Sequence, residues 1–354
     1  MSLSEKVQYF ARTDVGRLRD HNEDNYLVDK KLSLSVVADG MGGHAAGEVA
    51  SALAVRIIHE EIKAHRDVID AFGEEGADER AGSKEILNVL EQAVNRACQK
   101  IHEEAKADPA KRGMGTTLSA LLIAGSQGFI AHVGDSRIYL LRGGKIQQVT
   151  EDHTVYNELV KRGKLTRDQI EKVAQKNAIT RAVGVYERVE VDTLTIEVLP
   201  GDQFLLASDG LHGYIAHTAE LEPYLEEADG ETAAEELIAL ANRKGGKDNI
   251  TAVLVYANGK FGQLIEGEPA GMEITVERIR QSRRHKSLLV IGEGATRQRL
   301  FPQWSLQLEA DPALLRSTLQ ALNKGHDYSA EHVDCAERML RLVAWERDGA
   351  TSQP

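Results

Sequence analysis

Val37-Ala38-Asp39-Gly40-Met41-Gly42-Gly43 is the stretch that decides how this chain folds. The apolar run Leu32 to Ala38 reads as a buried strand, and it ends on an aspartate followed by a glycine-rich loop. A carboxylate at the end of a buried strand is costly unless a cation compensates it. The same setting recurs elsewhere in the chain. Glu23 and Asp24 close Arg19-Asp20-His21-Asn22-Glu23-Asp24, Asp209 sits in Ala207-Ser208-Asp209-Gly210, and Asp248 sits in Lys247-Asp248-Asn249-Ile250-Thr251. Carboxylates, backbone carbonyls and waters are the hard oxygen ligands of Mg²⁺ and Mn²⁺. The acidic runs are therefore expected to meet in one metal cluster.

The segments around these acids set the fold class. Apolar residues Val49, Leu53, Ile57, Ile58 and Ile62 keep helical spacing in a pattern from Glu48 to about Phe72. Residues 73–82 read as a loop. A second helix is predicted from about Ser83 to Lys106, with Ile86, Leu90, Val94, Ala97 and Ile101 on one face. After Gly115 the period changes to that of strands, over 116–124, 128–133, 136–142 and 145–149. Arg142-Gly143-Gly144-Lys145 reads as a hairpin turn. Residues 152–180 are polar and helical, with few apolar anchors, and read as an inserted flap. Strand pattern returns at 189–198, 203–207 and 249–256, with a helix predicted over 231–243. Long helices with strands that mostly follow one another point to α+β layers rather than a βαβ repeat.

Composition excludes several function classes. The chain has 354 residues and a net charge of −12. Residues 257–354 hold 13 basic and 13 acidic side chains, leaving 30 basic against 42 acidic in residues 1–256. An acidic body argues against nucleic acid as a partner and suits a site for divalent cations. Two cysteines, Cys98 and Cys335, exclude a disulfide framework or a cysteine zinc site and fit a reducing cytoplasm. The first residues lack an apolar core of signal-peptide length, and apolar runs such as Ala120 to Ala124 are too short to span a bilayer. A cytoplasmic location without membrane attachment is expected.

Seven runs in order now carry a family resemblance: 14–24, 37–43, Gly113-Met114-Gly115-Thr116-Thr117, Val133-Gly134-Asp135-Ser136-Arg137, Ile179-Thr180-Arg181-Ala182, 207–211 and 248–251. Over about residues 7–256 the chain resembles the bacterial PPM-type serine/threonine phosphatases, the protein phosphatase 2C family. The resemblance implies a four-layer α-β-β-α sandwich with two metal ions, Mn²⁺ or Mg²⁺, at one end. Asp39 would bridge the ions. Asp209 and Asp248 would hold the first, and the Gly40 carbonyl with Glu23, through water, would serve the second. Asp24 would orient the attacking water and Arg19 would grip the phosphate. Two cations a few ångströms apart activate water for in-line attack, and a planar guanidinium meets the charge on the phosphoryl oxygens. The implied reaction is hydrolysis of phosphoserine and phosphothreonine on proteins phosphorylated by Ser/Thr kinases. The alternative is a module that binds phosphoprotein with little or no turnover.

Three positions around this set need their own reading. His153, just after a strand, is a candidate proton donor to the leaving serine oxygen, with water as the competing donor. Arg112 stands where the resemblance leads us to expect a further aspartate, and a cation beside a guanidinium is unfavourable. This argues against a third ion, or for a weak one on Asp209, and leaves Arg112 as a candidate phosphate contact. Nearby Asp108 is expected to end a helix. Asp135 and Arg137 read as a structural pair within a tight turn.

Two rival chemistries fail on their residues. Gly40-x-Gly42-x-x-Ala45 outlines a dinucleotide fingerprint, but Asp39 would oppose a pyrophosphate and no βαβ succession follows. Cys335 and Arg341 share the Cys-x5-Arg spacing of cysteine phosphatases, but the residues between them are plain helix without the glycine-rich loop that acidifies such a thiol.

Residues 257–348 form a small α/β tail, and 349–354 are expected to be a disordered end. Strands are predicted at 260–265, 287–292 and 303–308, and helices at 273–282, 311–323 and 329–346. Phe261-x-Gln263-Leu264, Arg284-His285 and Phe301-Pro302-x-Trp304-Ser305 resemble the second half of a blue-light-sensing flavin (BLUF) domain. That family's first strand and helix have no counterpart, because the stretch before the tail is phosphatase. No flavin is expected, and the tail reads as a regulatory or dimerising appendage or as a helical cap.

Overall fold

The computed structural model describes residues 7–42, 46–72, 79–163, 177–226 and 229–257, with residues 169, 173 and 175. These lie in one compact unit, Ser2–Asn258. The elements expected in the tail fall outside the described residues, as do Gly43, His44, Gln263, Trp304, Cys335 and Arg341.

Two antiparallel sheets stack face to face. The first runs β1 (Val7–Asp14), β11 (Ile250–Ala257), β10 (Gln203–Ala207), β7 (Arg137–Arg142) and β8 (Lys145–Gln148). The second runs β2 (Asp24–Asp29), β3 (Leu34–Met41), β5 (Leu118–Ala124), β6 (Gln127–Val133) and β9 (Asp192–Glu197), with the two-residue β4 (Gly115–Thr116) paired to β3. Two glycines with positive φ, Gly143 and Gly144, turn the β7–β8 hairpin where the sequence predicts it.

Helices cover both outer faces. On the second sheet lie α1 (Ala46–Ala64) and α3 (Glu79–Ala107), separated by the short α2 (Arg66–Asp70). On the first lie α6 (Glu222–Glu226) and α7 (Gly230–Lys244), with the single turn α5 (Asp209–His212) following β10. The predicted apolar stripe of α3 is fully buried: Ile86, Leu90, Val94, Ala97 and Ile101 pack against Leu34, Val36 and Phe129. Between the sheets, Val37, Leu121, Ile130, Ile138, Phe204 and Val253 form a second apolar layer. A third, with Leu205, Leu237 and Leu254, lies under α7. Three apolar layers between four structural layers make the predicted α-β-β-α sandwich.

Three expectations shift. The helix predicted from Glu48 to Phe72 is two helices, because His65 leaves helical geometry with φ −108 and ψ 28. β1 and β2 are strands that apolar periodicity does not announce; their outward faces carry polar residues such as Gln8, Arg12 and Asn25. At the predicted flap, α4 (Val155–Arg162) is capped by Thr154 at its start and by left-handed Gly163 at its end. Its base is no loose hinge: Asp152, His153 and Thr154 are buried, and Val155 N–H and Thr180 N–H bond the carbonyls of Ala178 and His153 at 3.0 and 2.8 Å.

Candidate metal and phosphate site

Strand register brings the acidic runs to one end of the sandwich. Asp24 opens β2 directly opposite Asp39 near the end of β3. Ala207 closes β10 opposite Arg137 and Ala252, which places Asp209 beside the Gly134–Ser136 turn and beside Asp248 at the start of β11. Close backbone approach completes the corner. A Cβ on Gly40 would stand 2.2 Å from the Gly47 carbonyl oxygen and 2.5 Å from that of Glu23, so no larger residue fits there. Gly40 N–H and the Ser51 hydroxyl both donate to the Glu23 carbonyl, at 3.1 and 2.6 Å. The Glu23 carboxylate itself receives the Gly47 N–H in the first turn of α1.

The electrostatics of this corner are those of an anion cluster awaiting cations. Burial, and then Asp24, Asp209, Asp135 and Asp248, push the Asp39 carboxyl well above its ordinary range; its residue keeps some solvent-facing surface, but the carboxylate is ringed by protein. Burial drives Asp24 up to about 7, against the pull of hydrogen bonds from Thr251 and Ser208. Asp135 is likewise driven to about 7 by burial and by Asp209. Asp209 rises through burial and the charge of Asp248, and Glu23 through burial, partly offset by Arg19. Strongly perturbed acids gathered in one place are a functional signature.

The donor set fits hard divalent cations. The buried Oδ1 atoms of Asp24, Asp135 and Asp209 have no hydrogen-bond partner. An unpartnered carboxylate oxygen in such a place is expected to take a cation or an ordered water. Among the described residues no three acidic, His or Cys side chains already stand in a closed ligand geometry. Arg19 is the positive group within the cluster, and its Nη2 lies 2.7 Å from Asp248 Oδ2.

The chain matches the family model described as protein phosphatase 2C over residues 18–242. It belongs to the protein phosphatase 2C family. The serine/threonine phosphatase stp of Listeria innocua is 39% identical over 251 residues, covering 70% of this chain and 94% of that protein. Among solved structures, the Mycobacterium tuberculosis serine/threonine phosphatase PstP/Ppp superposes with a TM-score of 0.61 at 36% identity, covering 71% of this chain and 99% of that one. The catalytic domain of PstP, solved in complex with two manganese ions, gives 0.59 at 36% identity, covering 71% and 97%. A second model, sensors of blue-light using FAD, matches residues 222–307. Its described part, 222–257, is α6, α7 and β11 of the phosphatase, and β11 is a strand between β1 and β10.

Within this phosphatase 2C fold, Glu23, Asp24, Asp39, Gly40, Asp209, Asp248 and Arg19 lie at one end of the sandwich. One expectation around this set needs correction, and the other outer positions are defined by their contacts. Arg137 does not pair with Asp135: its guanidinium forks onto Asp152, with Nε and Nη2 at 2.9 and 2.7 Å from Oδ1 and Oδ2. Asp135 is left in the acid cluster, because the β6–β7 turn points it toward Asp209. His153 is buried and committed, with Nδ1 accepting Gly134 N–H at 3.1 Å and Nε2 facing Asp192 Oδ2 at 3.1 Å. Arg112 is exposed after the 3₁₀ turn Pro109–Lys111 and has no side-chain partner among the described residues, while Asp108 caps that turn through Ala110 N–H at 3.0 Å.

Sequence reasoning also passed over the residues that hold the acids. Asp24 Oδ2 accepts from the Ser208 and Thr251 hydroxyls, both at 2.7 Å. Buried Asn249 donates to the carbonyls of Val15 and His21 at 3.0 and 2.8 Å and accepts Glu23 N–H at 2.9 Å. It thereby staples the loop that carries Arg19 and Glu23 to the start of β11. Thr117 takes Asp39 N–H at 2.9 Å and gives its own N–H to the Asp39 carbonyl at 2.9 Å. Each of these belongs to a quoted run, but its partner lies tens to hundreds of residues away.

Proposed function

We propose that this chain hydrolyses phosphoserine and phosphothreonine on proteins, using divalent cations, Mn²⁺ or Mg²⁺, held by Asp39, Asp209, Asp248, Glu23 and the Gly40 carbonyl. The observation that carries this reading is the cluster of raised, unpartnered carboxylates with Arg19 at its edge. When bound, the cations supply an activated water and neutralise charge on the phosphoryl oxygens.

The chain's own groups do the rest. Arg19 is half exposed and pairs with Asp248, from which its fork can turn to two phosphate oxygens. Asp24 is held at Oδ2 by two hydroxyls, so Oδ1 is the free acceptor that orients the attacking water. The leaving serine oxygen takes its proton from solvent, because the His153 ring is spent on Gly134 and Asp192. Asp135 adds a carboxylate beside Asp209, so a further cation there does not depend on what stands at position 112.

Residues 1–256 form the catalytic domain in this reading, and 257–348 a regulatory or dimerising tail. A flavin-free tail is supported by the place of α6, α7 and β11 in the phosphatase layers, which leaves the second half of a flavin site without its first. Protein that is yellow after purification would overturn this part. A cytoplasmic location opposite Ser/Thr kinases agrees with the absence, among the described residues, of any helix long and apolar enough to cross a membrane.

The decisive assay compares wild type with Asp39→Asn and Asp248→Asn on a phosphopeptide in Mn²⁺. Both substitutions are expected to lower turnover by at least about 100-fold, the loss of a principal electrostatic group in a phosphoryl-transfer site. Equal activity in all three proteins would sink the mechanism.

A further inference from the structure

His153 joins the base of α4 to the acid cluster through a continuous run of hydrogen bonds. Its Nδ1 accepts Gly134 N–H at 3.1 Å, and the His153 backbone N–H donates to the Gly134 carbonyl at 2.7 Å. A backbone donor on Nδ1 places the ring proton on Nε2, which therefore donates to Asp192 Oδ2 at 3.1 Å. Arg181 Nη1 holds the other oxygen of Asp192 at 2.7 Å and lies 3.2 Å from the ring. The His132 ring packs against His153 with centroids 4.9 Å apart, and is itself fixed by Ser119 and the Glu151 carbonyl.

On its other side, the Gly134 turn reaches the ligands. Gly134 has φ +105, and a Cβ there would stand 2.7 Å from Thr117. The next residue is Asp135, whose carbonyl accepts from His212 Nε2 at 2.9 Å. Ser136 Oγ meets Thr117 Oγ1 at 2.8 Å, and Thr117 holds the Asp39 backbone from both sides. The ring of His153 is thus one hydrogen bond from the Asp135 turn. From that turn, the Ser136 and Thr117 hydroxyls lead on to Asp39.

We propose that His153 is a positioning residue for the cation site: it ties the Thr154–Thr180 base of the flap to the Gly134–Asp135 turn, so that the flap base and the carboxylates of Asp135 and Asp39 keep one relative position. This rests on the metal-dependent reading above. It gives His153 a duty distinct from proton donation, and it separates the two ring nitrogens. The Nδ1 acceptor serves the carboxylate turn, and the Nε2 donor serves Asp192, whose other oxygen is held by Arg181. Groups that orient a metal's ligands from behind are worth 10- to 100-fold in affinity.

The test uses the full chain, stripped of metal, with Mn²⁺ binding followed by isothermal titration and folding checked by metal-free thermal melting. His153→Ala is expected to weaken Mn²⁺ binding about tenfold. His153→Asn puts an amide oxygen near the Nδ1 position and should restore most of the affinity, whereas His153→Gln reaches Asp192 without that acceptor and should not. If the alanine variant fails to fold, Asn against Gln decides. His59→Gln, which disturbs a similar ion pair with Asp29 at 2.8 Å between α1 and β2, should bind Mn²⁺ like wild type. Folded His153→Ala with wild-type affinity, or Asn no better than Gln, overturns the assignment. Wild type that neither binds Mn²⁺ nor turns over phosphopeptide would instead remove the metal-dependent reading on which it rests.

Discussion

Replacing Asn249 by alanine isolates the loop that carries Arg19 and Glu23. The side chain is buried and makes three hydrogen bonds, two donated to Val15 and His21 and one accepted from Glu23 N–H. At about 1 kcal/mol net for each bond, the loss is about 3 kcal/mol. For a domain of this size, 1 kcal/mol moves the melting midpoint by about 2–4 °C, so metal-free N249A should melt about 6–12 °C below wild type. The kinetic effect is more specific. Arg19 reaches the site from residues 16–21, which are otherwise anchored at the Arg17 N–H to Gly246 carbonyl bond and at the Asp14 carboxylate. Freeing His21 and Glu23 should spread the positions of the guanidinium and raise KM for a phosphopeptide about tenfold, with a smaller fall in kcat, since Asp209 stays in the turn that follows β10 and Asp248 just before β11. Differential scanning fluorimetry and steady-state kinetics on one preparation read both effects. A variant that melts like wild type and keeps its KM would show that the loop is held by something other than Asn249, and the positioning argument would fail.

Arg19→Lys retains charge and loses the fork, so KM for phosphopeptide should rise about 5- to 20-fold while the melting midpoint stays within about 1 °C; unchanged kinetics would remove Arg19 from the phosphate. Asp135→Asn should stabilise the metal-free protein at about pH 8 by roughly 1–4 kcal/mol, because it replaces a buried charge by a neutral isostere, while weakening Mn²⁺ binding; a less stable metal-free variant would contradict the cluster as described. The pH dependence follows from the same carboxyls. Asp24 and Asp135 have folded values of about 7, above the unfolded range, so their favourable contribution to metal-free stability is complete below about pH 4 and is lost as pH rises toward about 7. Buried His132 and His212 are depressed to about 4 and about 3 and act in the opposite sense, their cost appearing as pH falls below about 6.5. The rise in melting midpoint on adding Mn²⁺ cancels the histidines and should grow between about pH 5.5 and 7.5; a flat or shrinking difference would refute the cluster's proton affinity.

Sequence alone determined the layers and the acidic runs that meet at one end of them. Helical spacing in Ile86 to Ile101, the strand patterns after Gly115 and the Gly143-Gly144 turn are local signals, and the structure follows them because burial acts on one face of each element at a time. Asp39 and Asp209 were legible for the same reason, since a carboxylate at or just after the end of an apolar strand stands out within a few residues, whereas Glu23, Asp24 and Asp248 stand before or at the start of their strands and were legible through the short runs around them. Tertiary structure decided the partners. Arg137 chose Asp152 over the adjacent Asp135, and His153 was taken up by Gly134 and Asp192. Asn249 closed a loop that begins 234 residues earlier. Hydrogen bonds and ion pairs fall off within a few ångströms, so which donor meets which acceptor is set by strand register and loop path, and neither is written in the local pattern.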